Sequence, residues 1–322
     1  MSIDSSVPLA ETSSGDAVAD RRTEMEALVA RFVHREYDPA AGEWLGIVGR
    51  CDEKIRAAYE QRRRLPPAGL RERFRRWFRR DDPIDRLWDK QWRDNLRLNR
   101  EYFSCEGAAA EYTWNERALK MRNAGGTLAR ILQLAATIET LGPRTVLEVG
   151  SGDGLNLMVL AAMFPEVRFT GIELTRGGVE VARRFQSEAD FPEEAAAAFP
   201  ARRLDPQAFR RVDFRRGSAR RLRAPTASFD LVVTCVALEQ MESIRAAALT
   251  EVARVAGRWT AMIEPFRDFN ADGMRRRYIE AYDYFQGGVD DLPRYGLEPQ
   301  FVSADVPQKL NLHTALVVCR KR

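Results

Sequence analysis

The segment with the most chemical content is Thr145-Val-Leu-Glu148-Val-Gly150-Ser151-Gly152-Asp-Gly154, a short apolar run ending in three glycines at alternate positions. Such a run reads as a buried strand feeding a tight turn and a helix N-terminus, the place where an open α/β sheet binds ligands. Glycine is needed there because the backbone must turn sharply and touch a ligand with no side chain between. A dinucleotide loop would read GxGxxG and want a small residue at position 155. Here Leu155 stands there and the third glycine comes early, which argues against NAD. The next apolar run ends at Glu173, about 20 residues beyond the loop, where a carboxylate can accept hydrogen bonds from both hydroxyls of an unphosphorylated ribose.

Groups able to take a proton near such a loop are few. His313 begins the last predicted strand, His34 lies in the N-terminal region, and Glu239 and Glu264 end the fourth and fifth predicted strands. Glu264 leads this group because it sits at the carboxyl end of a strand, where active sites of such sheets open. His313 is the second candidate. Both acids would equally serve as caps, and both histidines as ordinary structural residues. From Phe266 to Tyr284 the chain is rich in aromatics and arginine. Tyr278, Tyr282, Arg276 and Arg277 there could grip an anionic or aromatic acceptor, or simply line an amphipathic cover helix.

The glycine loop with its downstream acid resembles the class I S-adenosylmethionine-dependent methyltransferases, and the resemblance covers roughly residues 125 to 322. It implies that Glu148, Gly150, Ser151, Gly152 and Gly154 surround the methionine part of S-adenosyl-L-methionine, and that Glu173, with Leu174 beside it, meets the ribose. It further implies that Gly217-Ser218-Ala219 is the adenine loop, with Ser218 where relatives often carry an acid. Phe229 to Met241 looks like the fourth strand and following turn bordering the methyl group, which brings Thr234 to the cofactor and Gln240 to the acceptor. Many relatives place histidine where Gln240 stands. The implied reaction is methyl transfer to an oxygen or nitrogen. The sequence has no Asn/Asp-Pro-Pro-Tyr/Phe segment for base amines, and Cys235 lacks the preceding proline of a cytosine-attacking thiol. A small metabolite, lipid head group or sugar is therefore favoured over a nucleobase. A silent cofactor-binding scaffold and an RNA or protein methyltransferase are the alternatives.

These residues need elements to hold them. A periodic helix through Leu128, Ile131, Leu132, Ala135, Ile138 and Leu141 should stop at Gly142-Pro143. Apolar runs then alternate with helical segments at Thr145–Val149, Arg168–Glu173, Val212–Phe214, Asp230–Cys235 and Thr260–Ile263. That pattern predicts a parallel sheet with crossover helices. Pro299–Val302 and Thr314–Cys319 should pair antiparallel at one edge, making a seven-stranded, Rossmann-like α/β fold. A helical insertion is expected over about Ser187 to Phe199. The expected layout is a flexible tail over residues 1–20, an all-helical region over 21–124 serving as substrate lid or interaction arm, and the catalytic domain over 125–322.

Bulk features agree with a soluble enzyme of the cytoplasm. The charge is +4, the four cysteines are scattered without a CxxC pair, and no run nears the roughly 20 apolar residues of a membrane span. No metal site is expected. Residues 61–80 hold nine arginines against one acid, Glu72, with Leu70, Phe74, Trp77 and Phe78 on one helical face. Such a helix would suit packing on the catalytic domain or peripheral contact with an anionic membrane; nucleic acid is the least favoured partner.

Overall fold

The computed structural model describes residues 15–64, 89–90, 92, 108–187, 191 and 193–322. In chain order the elements are α1 (Gly15–Ala30), β1 (Val33–Tyr37), α2 (Gly42–Arg63), β2 (Ala109–Trp114), β3 (Arg117–Arg122), α3 (Asn123–Leu141), β4 (Thr145–Val149) and α4 (Leu155–Met163). They continue with β5 (Arg168–Glu173), α5 (Arg176–Ser187), the short α6 (Glu193–Ala197), β6 (Asp213–Arg216), β7 (Phe229–Cys235), α7 (Arg245–Val255) and β8 (Ala256–Glu264). The last are α8 (Gly273–Tyr282), β9 (Leu297–Ser303), β10 (Gln308–Lys309) and β11 (Ala315–Lys321).

Seven strands form one sheet in the order β6-β5-β4-β7-β8-β11-β9. The first five run parallel, and β11 runs antiparallel to both neighbours. The strands are apolar on both faces because helices cover both. Val146, Leu231, Val233, Ala261, Ile263, Leu316 and Val318 pack on one side with α3 and α4. Leu147, Val149, Val232, Met262, Val317 and Cys319 pack on the other with α7. This period of two fixes the register, since a slip of one residue would exchange the two cores.

The last two long strands pair antiparallel at one edge of the sheet, as expected. β11 inserts between β8 and β9, leaving β9 at the edge. The composition explains the choice: residues 315–319 of β11 are all buried, whereas β9 carries Glu298, Pro299 and Gln300, which an edge tolerates.

The N-terminal region is not all-helical. β1, β3, β2 and β10 form a second, antiparallel sheet, and β10 belongs to the link between β9 and β11. This sheet therefore crosses the expected boundary at residues 124–125, and Trp114 reinforces the crossing by donating from Nε1 to Asp305 Oδ1 at 2.8 Å. The β2–β3 hairpin turns on Asn115 and Glu116, both at positive φ (47° and 63°), the paired left-handed geometry of a two-residue hairpin loop. A glutamate in that position hides the turn from residue preferences. α1 begins at Gly15, inside the expected tail. Of the arginine-rich stretch, residues 65–80 lie outside the described residues. In its described part, Arg62 pairs with Asp283 beyond the end of α8, Nη2 to Oδ1 at 2.5 Å. Arg277 of α8 pairs in turn with Asp52 of α2, so α2 lies along α8. Among the described residues no helix is long and apolar enough to cross a membrane, and no group of three His, Cys, Asp or Glu could hold a metal ion.

Candidate active site

The glycine loop leaves β4 and folds back over β5. Gly150 and Ser151 both donate their N–H to Ile172 O, at 2.7 and 3.1 Å, and Gly154 closes the turn onto Ser151 O at 2.8 Å. Gly150 (φ +83°) and Gly152 (φ +54°) hold left-handed backbone that side chains resist. A Cβ on Gly150 would also lie 2.5 Å from Ala237 Cβ. Gly154 (φ +82°) shares that conformation and also serves packing, with Phe214 and Ala182 against it where α4 begins.

At the end of β5 the buried Glu173 carboxylate ties three pieces together. Oε2 accepts from Gly152 N at 3.1 Å, and Oε1 accepts from Thr175 N and Thr175 Oγ1, both at 2.8 Å. The Glu173 carbonyl accepts from Gly217 N at 2.9 Å, which draws the loop after β6 to the same rim. One cavity opens among these parts. Gly150, Gly152, Glu173, Leu174, Gly217, Ser218 and Ala219 line it, with Ala237, Gln240 and Met241 from the turn after β7.

That turn is strained and braced. Val236 sits at φ +53°, a costly conformation for a β-branched residue. The wholly buried Glu264 at the end of β8 holds it: Oε1 accepts from Ala237 N at 3.1 Å and Oε2 from Glu239 N at 3.3 Å. Burial lifts the Glu264 carboxyl to about 8, although these backbone donors favour its charged form. Beyond the turn, Gln240 Nε2 donates to Glu239 Oε1 at 3.2 Å, and Tyr284 lies close to Gln240 and Tyr278. Tyr278, Tyr282 and Tyr284 pack ring to ring at 4.8, 5.5 and 5.7 Å between centroids. Burial raises the Glu239 carboxyl above the usual range against the pull of Gln240, Arg130 and Lys309.

Residues 147–258, from within β4 to the start of β8, match the sequence profile of a family described as a methyltransferase domain. This stretch of the chain is similar to that methyltransferase domain. Among solved structures, a SAM-dependent methyltransferase from Methanosarcina mazei is 15% identical, covering 57% of this chain and 96% of its own, with a TM-score of 0.41. Geranyl diphosphate C-methyltransferase from Streptomyces coelicolor A3(2) is 9% identical over 59% of this chain and 79% of its own, with a TM-score of 0.42. The [4+2]-cyclase SpnF is 16% identical over 74% and 94%, with a TM-score of 0.48. No curated protein sequence matches the chain significantly.

The expected cofactor residues divide in two. Gly150, Gly152, Glu173, Leu174, Ser218 and Ala219 share the cavity, joined by Gln240, which was expected on the acceptor side. Glu148, Ser151, Gly154 and Thr234 lie beneath or behind it. Glu148 is wholly buried, accepts from Asn156 Nδ2 at 2.7 Å and is lifted by burial to about 8. Thr234 is wholly buried beside the Glu264 carboxyl. The reason is pleat and turn: of successive residues along a strand only alternate ones reach a given face. His313 lies off the cavity, its backbone N–H donating to Asn270 Oδ1 at 2.9 Å and its imidazole facing Arg275 and Asp272. Burial pulls that imidazole down to about 4. His34 is exposed on β1. Burial pushes the Cys235 thiol up to about 12, which leaves no thiolate on β7. The sequence reading missed Trp92 and Ile244 in the cavity wall. It also missed Tyr284, whose signal was its nearness to Tyr278 and Tyr282.

Proposed function

We propose that this chain holds S-adenosylmethionine in the cavity between β4, β5, β6 and the turn after β7. We further infer that it methylates an oxygen or nitrogen of a small acceptor seated over Gln240 and the tyrosine cluster. The cavity suits the cofactor on three counts. Bare backbone at Gly150 and Gly152 admits close approach, the Glu173 carboxylate stands at the ribose position, and Ile172, Leu174, Ala219 and Ile244 offer apolar walls to adenine. When bound, the cofactor supplies an electrophilic methyl on a sulfonium. The protein's task is then to align the acceptor and exclude water.

The observation that carries the acceptor assignment is the chain of contacts through Gln240. This side chain lines the cofactor cavity, donates to Glu239 and lies close to Tyr284. An acceptor bridging cavity and tyrosines would therefore lie beside the Glu239 carboxylate, which is placed to take its proton. Glu264, with both oxygens occupied by backbone N–H groups, supports the turn that presents Glu239 and Gln240. It acts as a positioning residue and not as the base. A hydroxyl- or amine-bearing metabolite, sugar or lipid head group fits this site.

The test is a metabolite extract incubated with protein and S-adenosylmethionine and followed by mass spectrometry for the added methyl group. With the acceptor in hand, Glu239→Gln should keep S-adenosylhomocysteine affinity within a few fold. It should lose turnover by about 100-fold, the scale of general-base catalysis. The acidic limb of the wild-type pH profile, lying above the ordinary glutamate range, should vanish in the variant. Retention of full turnover and an unchanged profile would remove Glu239 from the chemistry.

A further inference from the structure

One wall of the cofactor cavity comes from outside the methyltransferase domain. Asp89 and Trp92 precede that domain by more than fifty residues, yet both touch its ligand-binding edge. Asp89 Oδ1 accepts from Gly177 N at 2.5 Å, in the first turn of α5, just beyond the Glu173–Thr175 clamp. An acid at that point satisfies one of the N–H groups a helix start leaves open, and its charge is favourable there. Three residues later, one helical turn on, Trp92 falls on the same side. Its indole lies against the glycine loop. A Cβ built on Gly152 would sit 2.8 and 2.9 Å from ring carbons Cζ2 and Cη2, so the ring occupies the space left by the missing side chain. The same ring lines the cavity together with Glu173, Leu174 and Ser218.

We propose that Trp92 is a cofactor-binding residue, an aromatic wall for the sulfonium nucleoside, and that Asp89 positions it through the start of α5. An indole is the strongest of the aromatic rings at attracting a cation and offers a flat apolar surface to a nucleoside. Gly152 then has two roles, bare backbone toward the ligand and room for the Trp92 ring. The inference rests on the assignment of this cavity to S-adenosylmethionine.

The experiment is calorimetric titration of the full chain with S-adenosylhomocysteine, paired with tryptophan emission. Trp92→Ala should weaken binding about ten-fold or more, whereas Trp92→Phe, which keeps a ring, should stay within about three-fold. Asp89→Ala should weaken binding by a smaller factor, and Asp89→Asn, which keeps an oxygen acceptor, should restore it. The ligand-induced change in wild-type emission should be largely absent from Trp92→Phe, a signal that a merely structural residue would not carry. Wild-type affinity in Trp92→Ala, or an unchanged emission response in Trp92→Phe, would overturn the inference. Failure of the wild type to bind while folded would overturn the cofactor assignment and this inference with it.

Discussion

Replacing Glu173 tests ligand binding and loop architecture together, because one carboxylate would serve both. It accepts three protein hydrogen bonds, from Gly152 N, Thr175 N and Thr175 Oγ1. An ionised carboxylate has about four acceptor sites, so roughly one remains to meet a ribose hydroxyl. Glu173→Ala removes that contact and leaves the Gly152 and Thr175 donors to water entering the cavity. A hydrogen bond to a charged group is worth about 1.5–3 kcal/mol net, and a rim position open to water brings the binding loss to about 1–3 kcal/mol. S-adenosylhomocysteine affinity should therefore fall about 5- to 150-fold. The lost clamp should lower unfolding free energy by a similar amount, about 1–3 kcal/mol, read as a drop in the urea midpoint. Glu173→Gln keeps one oxygen for Thr175 but turns an amide N–H₂ toward Gly152 N–H, so its stability should lie between wild type and alanine. Titration calorimetry on the folded variants decides the matter. Unchanged affinity in Glu173→Ala would refute the placing of the ribose at this carboxylate, and unchanged stability would refute the clamp.

Two further outcomes follow from the geometry. Gly150→Ala forces a side chain into left-handed backbone and against Ala237, so stability should drop by about 2–4 kcal/mol. Adding Ala237→Gly should recover the clash component only, and full recovery by the second change would show that the φ of Gly150 carries no cost. Glu148, lifted by burial to about 8 from an ordinary 4.5, holds a proton in the folded state that the unfolded chain has released between those pH values. The unfolded state then binds fewer protons, so the stability this proton provides is complete below about pH 4.5 and is lost as pH rises toward 8, by up to about 1.4 kcal/mol per pH unit. Urea midpoints measured across this window should fall with pH in the wild type and less steeply in Glu148→Gln, where Glu264 still contributes; an equal slope in both would refute the neutral buried Glu148 carboxyl.

The strands and glycine loop around the proposed cofactor cavity were legible because their signals are local. β4 and β5 fall on the residues whose apolar runs predicted them, Thr145–Val149 and Arg168–Glu173. The glycine spacing between them encodes backbone conformation, which neighbouring residues decide. The acceptor half was harder to read. Glu264 looked like a free acid at a strand end, and only the fold shows its two oxygens spent on Ala237 and Glu239. His313 and Thr234 were drawn into the site by closeness in sequence to strand ends, but side-chain direction took them away from the cavity.

The N-terminal region shows the same divide in its topology. Val33–Tyr37 has too few apolar residues to announce a strand, and its partner β3 lies more than eighty residues away. β10 is two residues long and exists because β2 offers an open edge to it. What the sequence alone determined is the order of strands and helices after residue 125 and the place of the glycine loop, since burial pattern and glycine spacing are properties of short stretches. What only the tertiary structure decided is the insertion of β11 between β8 and β9, the bracing of Val236 by Glu264, the joining of Gln240 to Glu239 and Tyr284, and the placing of Trp92 over Gly152. Most of these join residues far apart in the chain, and all depend on packing, which hydrophobic period and residue type leave open.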